Sequence, residues 1–281
     1  MPATEFRVIS VDPAPSKNST VFDSIDGFLE LDAFELDEHL NKARRLEQSV
    51  LLAWDAPLTG PWLLDSVPKV KSEDGNPGDF SPFYERAIER ELRGKYGRKT
   101  IDGKAEKIVS VLGYAGCPHW TITRAILGLP RVGRYCLPES SLPFTLLTDN
   151  KRPDATVKRR YVVETHPALA MAMLFRTNAK TKTQAEAALQ RYKRKEDTSA
   201  EGRREAVATL KKAIGRWCIR NEIGDLSDSF ERINDDDQLD AFVGFLLAKL
   251  WINGSKLIEV RGGIKEGAIL LPVVGKPNDE K

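Results

Sequence analysis

The sequence predicts an α/β protein built on a mixed five-stranded sheet. Three observations lead there. Short apolar runs rich in β-branched residues stop abruptly at an acid or a turn residue. The first of these runs lie close together, as in a hairpin meander, and the later ones are separated by stretches of helical composition. One late segment is apolar nearly all round and has the length of a helix rather than a strand.

The first strand is read in "EFRVISVDPAP", where Phe6, Val8, Ile9 and Val11 are apolar and Pro13 ends the run. "NSTVFDSIDGFLELDAFEL" supplies a second and third strand, with a turn at Asp26-Gly27, a strong hairpin dipeptide. "LDEHLNKARRLEQ" has helical composition. "SVLLAWDAPLTG" is a continuous apolar run that closes on Asp55, as in a strand buried on both faces. Residues 61–157 are rich in Pro and Gly and read as an insertion or cap, with helices near 82–94 and 119–128. "KRRYVVETHPALAMAMLF" gives a fifth strand through Val163, then a helix with Pro167 in its first turn. Residues 183–195 and 201–220 follow as helices; in the second, Val207, Leu210, Ile214 and Trp217 recur at helical spacing among basic residues. The last long helix spans about 235–251, and "EGAILLPVVG" adds a short edge strand. The sequence thus divides into a domain formed by 1–60 and 158–281, interrupted by the segment 61–157.

At 41% hydrophobic and 30% charged residues, the chain can bury a core. Its net charge of +2 excludes little, but the charge is unevenly spread. Residues 23–47 are mostly acidic and 176–220 strongly basic, which marks either a polyanion-facing side or two solvated helix faces. Three widely spaced cysteines without a CxxC pair suggest neither a disulfide framework nor a zinc site. The N-terminus lacks a signal-peptide layout, and the longest apolar stretch, 241–252, is broken by Lys249 and too short for a bilayer. A reducing, cytoplasmic setting and no membrane partner are expected.

The chemistry lies in the acids. Asp12, Asp55 and Glu164 each close an apolar strand, and ligands of open α/β sheets collect at carboxyl strand ends. Taken singly, each has an ordinary explanation as a turn residue. In "NDDDQLDAFVG", Asn234 reads as the helix cap, and Asp235, Asp236 and Asp237 suit the positive end of the helix dipole. Asp240 lies beyond that turn, at the head of a buried apolar run, three residues from Asp237 and so on nearly the same face. A buried carboxylate needs a counter-charge, hydrogen bonds or a metal, and clustered carboxylates raise one another's pKa. A divalent cation with oxygen ligands, Mg²⁺ or Mn²⁺, resolves that conflict. Two such ions about 4 Å apart clamp a phosphodiester for in-line attack.

In order, "VISVDPAP" with "NSTV", "WDAPLTG", "VVETHPALA" and "DDDQLDAFVGFLLA" resemble the domain-of-unknown-function 429 family, regarded on sequence grounds as nucleases of the ribonuclease H-like (RNase H-like) fold. "EGAILLP" is similar to the way its members end. The segment 61–157 matches no known pattern. More distantly, "VDPAP" and "DQLDA" resemble RuvC-type resolvases, in which an acid on the first strand, one on the fourth and a D-x-x-D pair on the last helix bind two Mg²⁺ ions. The resemblance implies Asp12, Asp55, Asp237 and Asp240 as metal ligands. Glu164 matches the family's E-x-H-P motif and stands as a ligand, a base or a group orienting His166. His166 either assists proton transfer or caps the following helix.

A divalent-metal-dependent nuclease, hydrolysing phosphodiester bonds of DNA or RNA, is the leading expectation. Lys158, Arg159 and Arg160, with Arg204, Lys211 and Lys212 of the basic helix, would contact backbone phosphates, and Trp62 or Trp120 would stack on a base. Two alternatives stand beside it. One is an ATP-dependent phosphotransferase of the actin-like branch of the same fold, with "DPAPSKNST" as its phosphate loop and "RGGIKEG" as the only candidate for the second. The other is a non-catalytic binding protein whose acids are structural.

Overall fold

A computed structural model describes residues 6–14, 18–45, 48–56, 58, 87–88, 91–92, 144–154, 159–176, 179–193, 198–224, 227–263 and 267–273. Its strands are β1 (Arg7–Asp12), β2 (Ser19–Asp23), β3 (Gly27–Leu31), β4 (Val50–Trp54), β5 (Thr145–Leu146), β6 (Arg160–Glu164), β7 (Ile258–Gly263) and β8 (Gly267–Pro272). Its helices are α1 (Ala33–Arg45), α2 (Pro167–Arg176), α3 (Ala179–Arg191), α4 (Ala200–Arg220), α5 (Ser227–Glu231) and α6 (Asp236–Ile252).

The main sheet is mixed, with strand order β3-β2-β1-β4-β6-β5. β1, β4, β6 and β5 run parallel, and the β1–β2 and β2–β3 pairs are antiparallel. The meander forms where the sequence predicts it. Gly27 takes φ 76° at the end of the β2–β3 turn, a left-handed conformation that glycine adopts without a Cβ penalty. The fold is α/β and compatible with an RNase H-like arrangement, and among the described residues the main sheet holds six strands where five were expected. The extra one, Thr145–Leu146, pairs with β6 on the outer edge. Two residues are too few to show a strand's alternation, which is why it was hidden in the sequence.

Residues 144–154, the end of the segment read as an insertion, lie against the sheet through the pairing of Thr145–Leu146 with β6. Polar anchors hold them there. Asn150 exchanges two hydrogen bonds with the Val260 backbone, at 3.1 and 2.6 Å. Arg152 donates to the Trp251 and Ser255 carbonyls at 2.6 and 2.9 Å, closing the C-terminal end of α6. Of the expected helix 82–94, residues 87–88 and 91–92 are helical; its remainder, the helix 119–128, Trp62 and Trp120 lie outside the described residues.

Side chains alternate between two cores. On one face Ile9, Val11, Leu52, Trp54 and Val162 pack with Leu36 and Leu40 of α1. On the other, Val8, Leu51, Ala53 and Val163 meet α2, α3, α4 and α6. α6 is buried around most of its girth, from Leu239 through Ala248. The closing segment corrects the expected edge strand: β8 pairs with β7, not with the main sheet, as an antiparallel hairpin whose every β8 residue is buried. A single parallel bridge, Thr165 to Leu270, ties it to the end of β6. No helix among the described residues is long and apolar enough to cross a membrane.

Candidate metal centre

The sheet register sets the level of the acids. β1, β4 and β6 are parallel neighbours in which Val11, Trp54 and Glu164 stand side by side. Asp12 and Asp55 follow one residue later, and the ladder continues past them: the Asp55 amide donates to the Val11 carbonyl at 3.0 Å and the Thr165 amide to the Trp54 carbonyl at 2.9 Å. Because side chains alternate, Val11 and Trp54 enter the α1 core while Asp12 and Asp55 turn to the face covered by α6. Glu164, level with Trp54, falls on the other face. This is the parity that separates it from the two aspartates.

α6 brings the third acid. Its cap is Asp235, not Asn234: the Asp235 carboxylate accepts the Gln238 amide at 2.8 Å, while the Gln238 side chain accepts the Asn234 amide at 2.9 Å. Asp236 and Asp237 occupy the first turn. Asp240 lies one turn further in and is 1% exposed. One turn beyond it, Gly244 lets the helix rest directly on β1, since a Cβ there would overlap the Ser10 hydroxyl and lie 3.3 Å from Thr165 Oγ1. The outcome is a cluster in which carboxylate oxygens of Asp12, Asp55 and Asp240 all lie within 4.8 Å of one another.

A cation that the sequence did not reveal sits against this cluster. Lys193, two residues past α3, forms an ion pair with Asp240 Oδ2, and its Nζ lies 4.0 Å from Asp12 Oδ2. The neighbouring Tyr192 hydroxyl donates to Asp240, 3.3 Å from Oδ1. Both residues sit in "RYKRKED", where nothing but the fold distinguishes Lys193 from its basic neighbours.

The electrostatics are those of crowded negative charge. Burial pushes the Asp55 carboxyl well above its ordinary range, and Asp12, Asp240 and Glu164 push it further, against Lys193. Burial also raises Asp240, helped by Asp236 and Asp237, while Lys193 pulls it back. For Lys193, burial opposes the charge, but Asp240 and Asp12 outweigh it and hold the ammonium well above its usual value. Burial and Asp237 raise Asp236.

The remaining predicted residues are placed differently. Asp237 is not part of the three-carboxylate cluster; it acts on Asp240 through its charge from the first turn. Glu164 is 2% exposed and accepts the Leu58 amide at 2.8 Å, which fixes the chain leaving Asp55. The His166 carbonyl accepts the Ala170 amide at 2.9 Å, opening α2, with Pro167 first in the helix. Arg159 and Arg160 stand at the amino end of β6, about 13 Å of extended strand away from its carboxyl end. They therefore flank the rim opposite the aspartates, and Lys158 lies outside the described residues. Lys211 is committed to the Glu231 and Ile233 carbonyls, at 3.0 and 3.1 Å. Arg204 and Lys212 are exposed on α4.

Asp23, Asp26 and His39 form a second acidic group, but a cation already fills it. Arg7 reaches Asp23 at 2.6 Å and Asp26 at 2.7 Å, and His39 Nε2 lies 2.8 Å from Asp23. The first cluster contacts a partly solvent-exposed lysine, and its all-oxygen donor set is what hard divalent cations take.

Residues 145–259 match the model of a family described as "Protein of unknown function (DUF429)", the family that the ordered motifs resemble. The matched stretch carries Glu164, Lys193, Asp237 and Asp240; Asp12 and Asp55 precede it. No curated protein and no solved structure shows a significant match.

Proposed function

We propose that the protein is a divalent-metal-dependent nuclease of the RNase H-like fold, hydrolysing phosphodiester bonds of nucleic acid. The observation that carries this reading is convergence. Three acids separated by 43 and 185 residues, at positions 12, 55 and 240, meet at the carboxyl rim of a mixed α/β sheet. Structural acids in turns and caps have no reason to do so, and this cluster is held together against its own repulsion.

Asp12, Asp55 and Asp240 would hold Mg²⁺ or Mn²⁺, which needs few carboxylates and leaves room for water and phosphate oxygens. When bound, the ion supplies Lewis-acid charge to a phosphoryl group and makes water acidic enough to attack at neutral pH. The chain supplies positioning. Tyr192 and Lys193 fix the Asp240 carboxylate, and Glu164 fixes the backbone that follows Asp55. Arg204 and Lys212, exposed on α4, suit contacts to a polyanionic backbone.

The test is cleavage of single- and double-stranded DNA, RNA and hybrids by the full chain with Mn²⁺ or Mg²⁺, beside Asp12→Asn and Asp240→Asn. Each substitution is expected to lower the rate by more than roughly 100-fold, beyond the range typical of residues that only orient a ligand. Full activity in both variants would overturn the reading.

A further inference from the structure

We propose that Thr165 is an outer ligand of this centre: its hydroxyl takes a hydrogen bond from water carried by the ion that Asp12, Asp55 and Asp240 would hold. The inference rests on the metal-dependent reading of that cluster and adds a positioning residue to it. The observation that carries it is a polar atom without a partner. Thr165 is 1% exposed, and its Oγ1 is buried without a hydrogen bond to any described residue. A buried hydroxyl in that state costs stability, and a valine of nearly the same shape would avoid the cost.

Register places this hydroxyl beside the acids. Trp54 and Glu164 are partners on β4 and β6, and the Thr165 amide continues their ladder by donating to the Trp54 carbonyl at 2.9 Å. Asp55 and Thr165 are therefore lateral neighbours one step further on, about 5 Å apart across the strands. Alternation turns both side chains to the face covered by α6. The helix gives the direction of the hydroxyl. A Cβ on Gly244 would lie 3.3 Å from Thr165 Oγ1, so Oγ1 points against α6, one turn along from Asp240. It stands between the strand that leads to Asp55 and the helix that carries Asp240. A gap of this kind between polar groups is one that water bridges. Mg²⁺ and Mn²⁺ keep waters beside their carboxylates, and a hydroxyl has lone pairs to accept from them. The ordinary alternative is a threonine that only fills space in a β-sheet, and the two make different predictions.

The experiment is the Mn²⁺ affinity of the full chain by isothermal titration, for the unmodified protein, Thr165→Val and Thr165→Ser, with thermal melts of each after chelation of metal. Thr165→Val is expected to melt higher than the unmodified chain without metal, yet to bind Mn²⁺ about 10–100-fold more weakly. Thr165→Ser, which keeps the hydroxyl, is expected to bind like the unmodified protein. Unchanged Mn²⁺ affinity in a folded Thr165→Val would overturn the proposal and leave the metal-dependent reading intact. So would a Thr165→Ser as weak as Thr165→Val, since the hydroxyl would then not be what matters. Weaker binding by Thr165→Val together with a lower metal-free melting temperature would assign the loss to disturbed packing and overturn it as well. No Mn²⁺ bound by the unmodified chain would overturn both readings.

Discussion

Asp23 and Asp55 are both acids placed at the end of a strand or just past it, and their surroundings treat them in opposite ways. Burial raises Asp23, but hydrogen bonds from His39 and Arg7 outweigh it and hold the carboxyl below its ordinary 3.8. Asp55 receives repulsion from three acids and the field of a single lysine. The first pattern is structural and the second is that of a site. For Asp23 the consequence is a pH-dependent contribution to stability. A depressed folded-state pKa stabilises above the unfolded value and is lost as pH falls through the folded one. Asp23→Asn should therefore cost roughly 3–5 kcal/mol near neutral pH, because the buried Arg7 loses its partner. The gap to the unmodified protein should close as urea unfolding is repeated from about pH 7 to about pH 3. A gap that does not depend on pH would contradict the assignment. In the sequence Asp23 was one of seven acids in a charged stretch, and nothing local showed that Arg7 would bury it. Asp12 and Asp55 were legible because each interrupts an apolar run. Lys193 was not, because its role comes from where α3 ends against α6.

The element that decides the site is α6. Its start, its apolar length and the anomaly of Asp240 all stand in "NDDDQLDAFVGFLLA", and the structure moves only the cap, from Asn234 to Asp235. Asp237, expected as the partner of Asp240, lies outside the Asp12–Asp55–Asp240 group but raises the Asp240 carboxyl by its charge. A spacing of three puts two residues near one face of the helix, but only the one a turn deeper reaches the sheet. What the sequence could not show is how close α6 comes to β1. Gly244 sets that distance. Gly244→Ala should push the helix away from Ser10, lower stability by about 1–3 kcal/mol and weaken Mn²⁺ binding by moving Asp240 from Asp12. Ser10→Ala in the same chain removes the overlapping hydroxyl and should restore part of both losses, read by thermal melts and Mn²⁺ titration. Equal losses in the single and double variants would show that the contact does not set the spacing.

Across the whole molecule, the two rims of one sheet carry opposite solutions to buried negative charge. At the rim of Arg7, Asp23, Asp26 and His39, the Arg7 guanidinium pairs with both aspartates and His39 lies within hydrogen-bond distance of Asp23. At the rim of Asp12, Asp55 and Asp240, Lys193 pairs with Asp240 and approaches Asp12 while the three carboxylates crowd one another. Strand alternation and the meander were readable from the sequence and carry the topology. The sixth strand and the β7–β8 hairpin were not, since one has two residues and the other depends on pairing between segments that read separately as edge-like. The most direct test of the centre is the anomalous scattering of manganese in crystals grown with Mn²⁺. The account predicts a strong peak among the Asp12, Asp55 and Asp240 carboxylates and none at Asp23, Asp26 and His39. A peak at the second group, or an empty first group at saturating Mn²⁺, would contradict it.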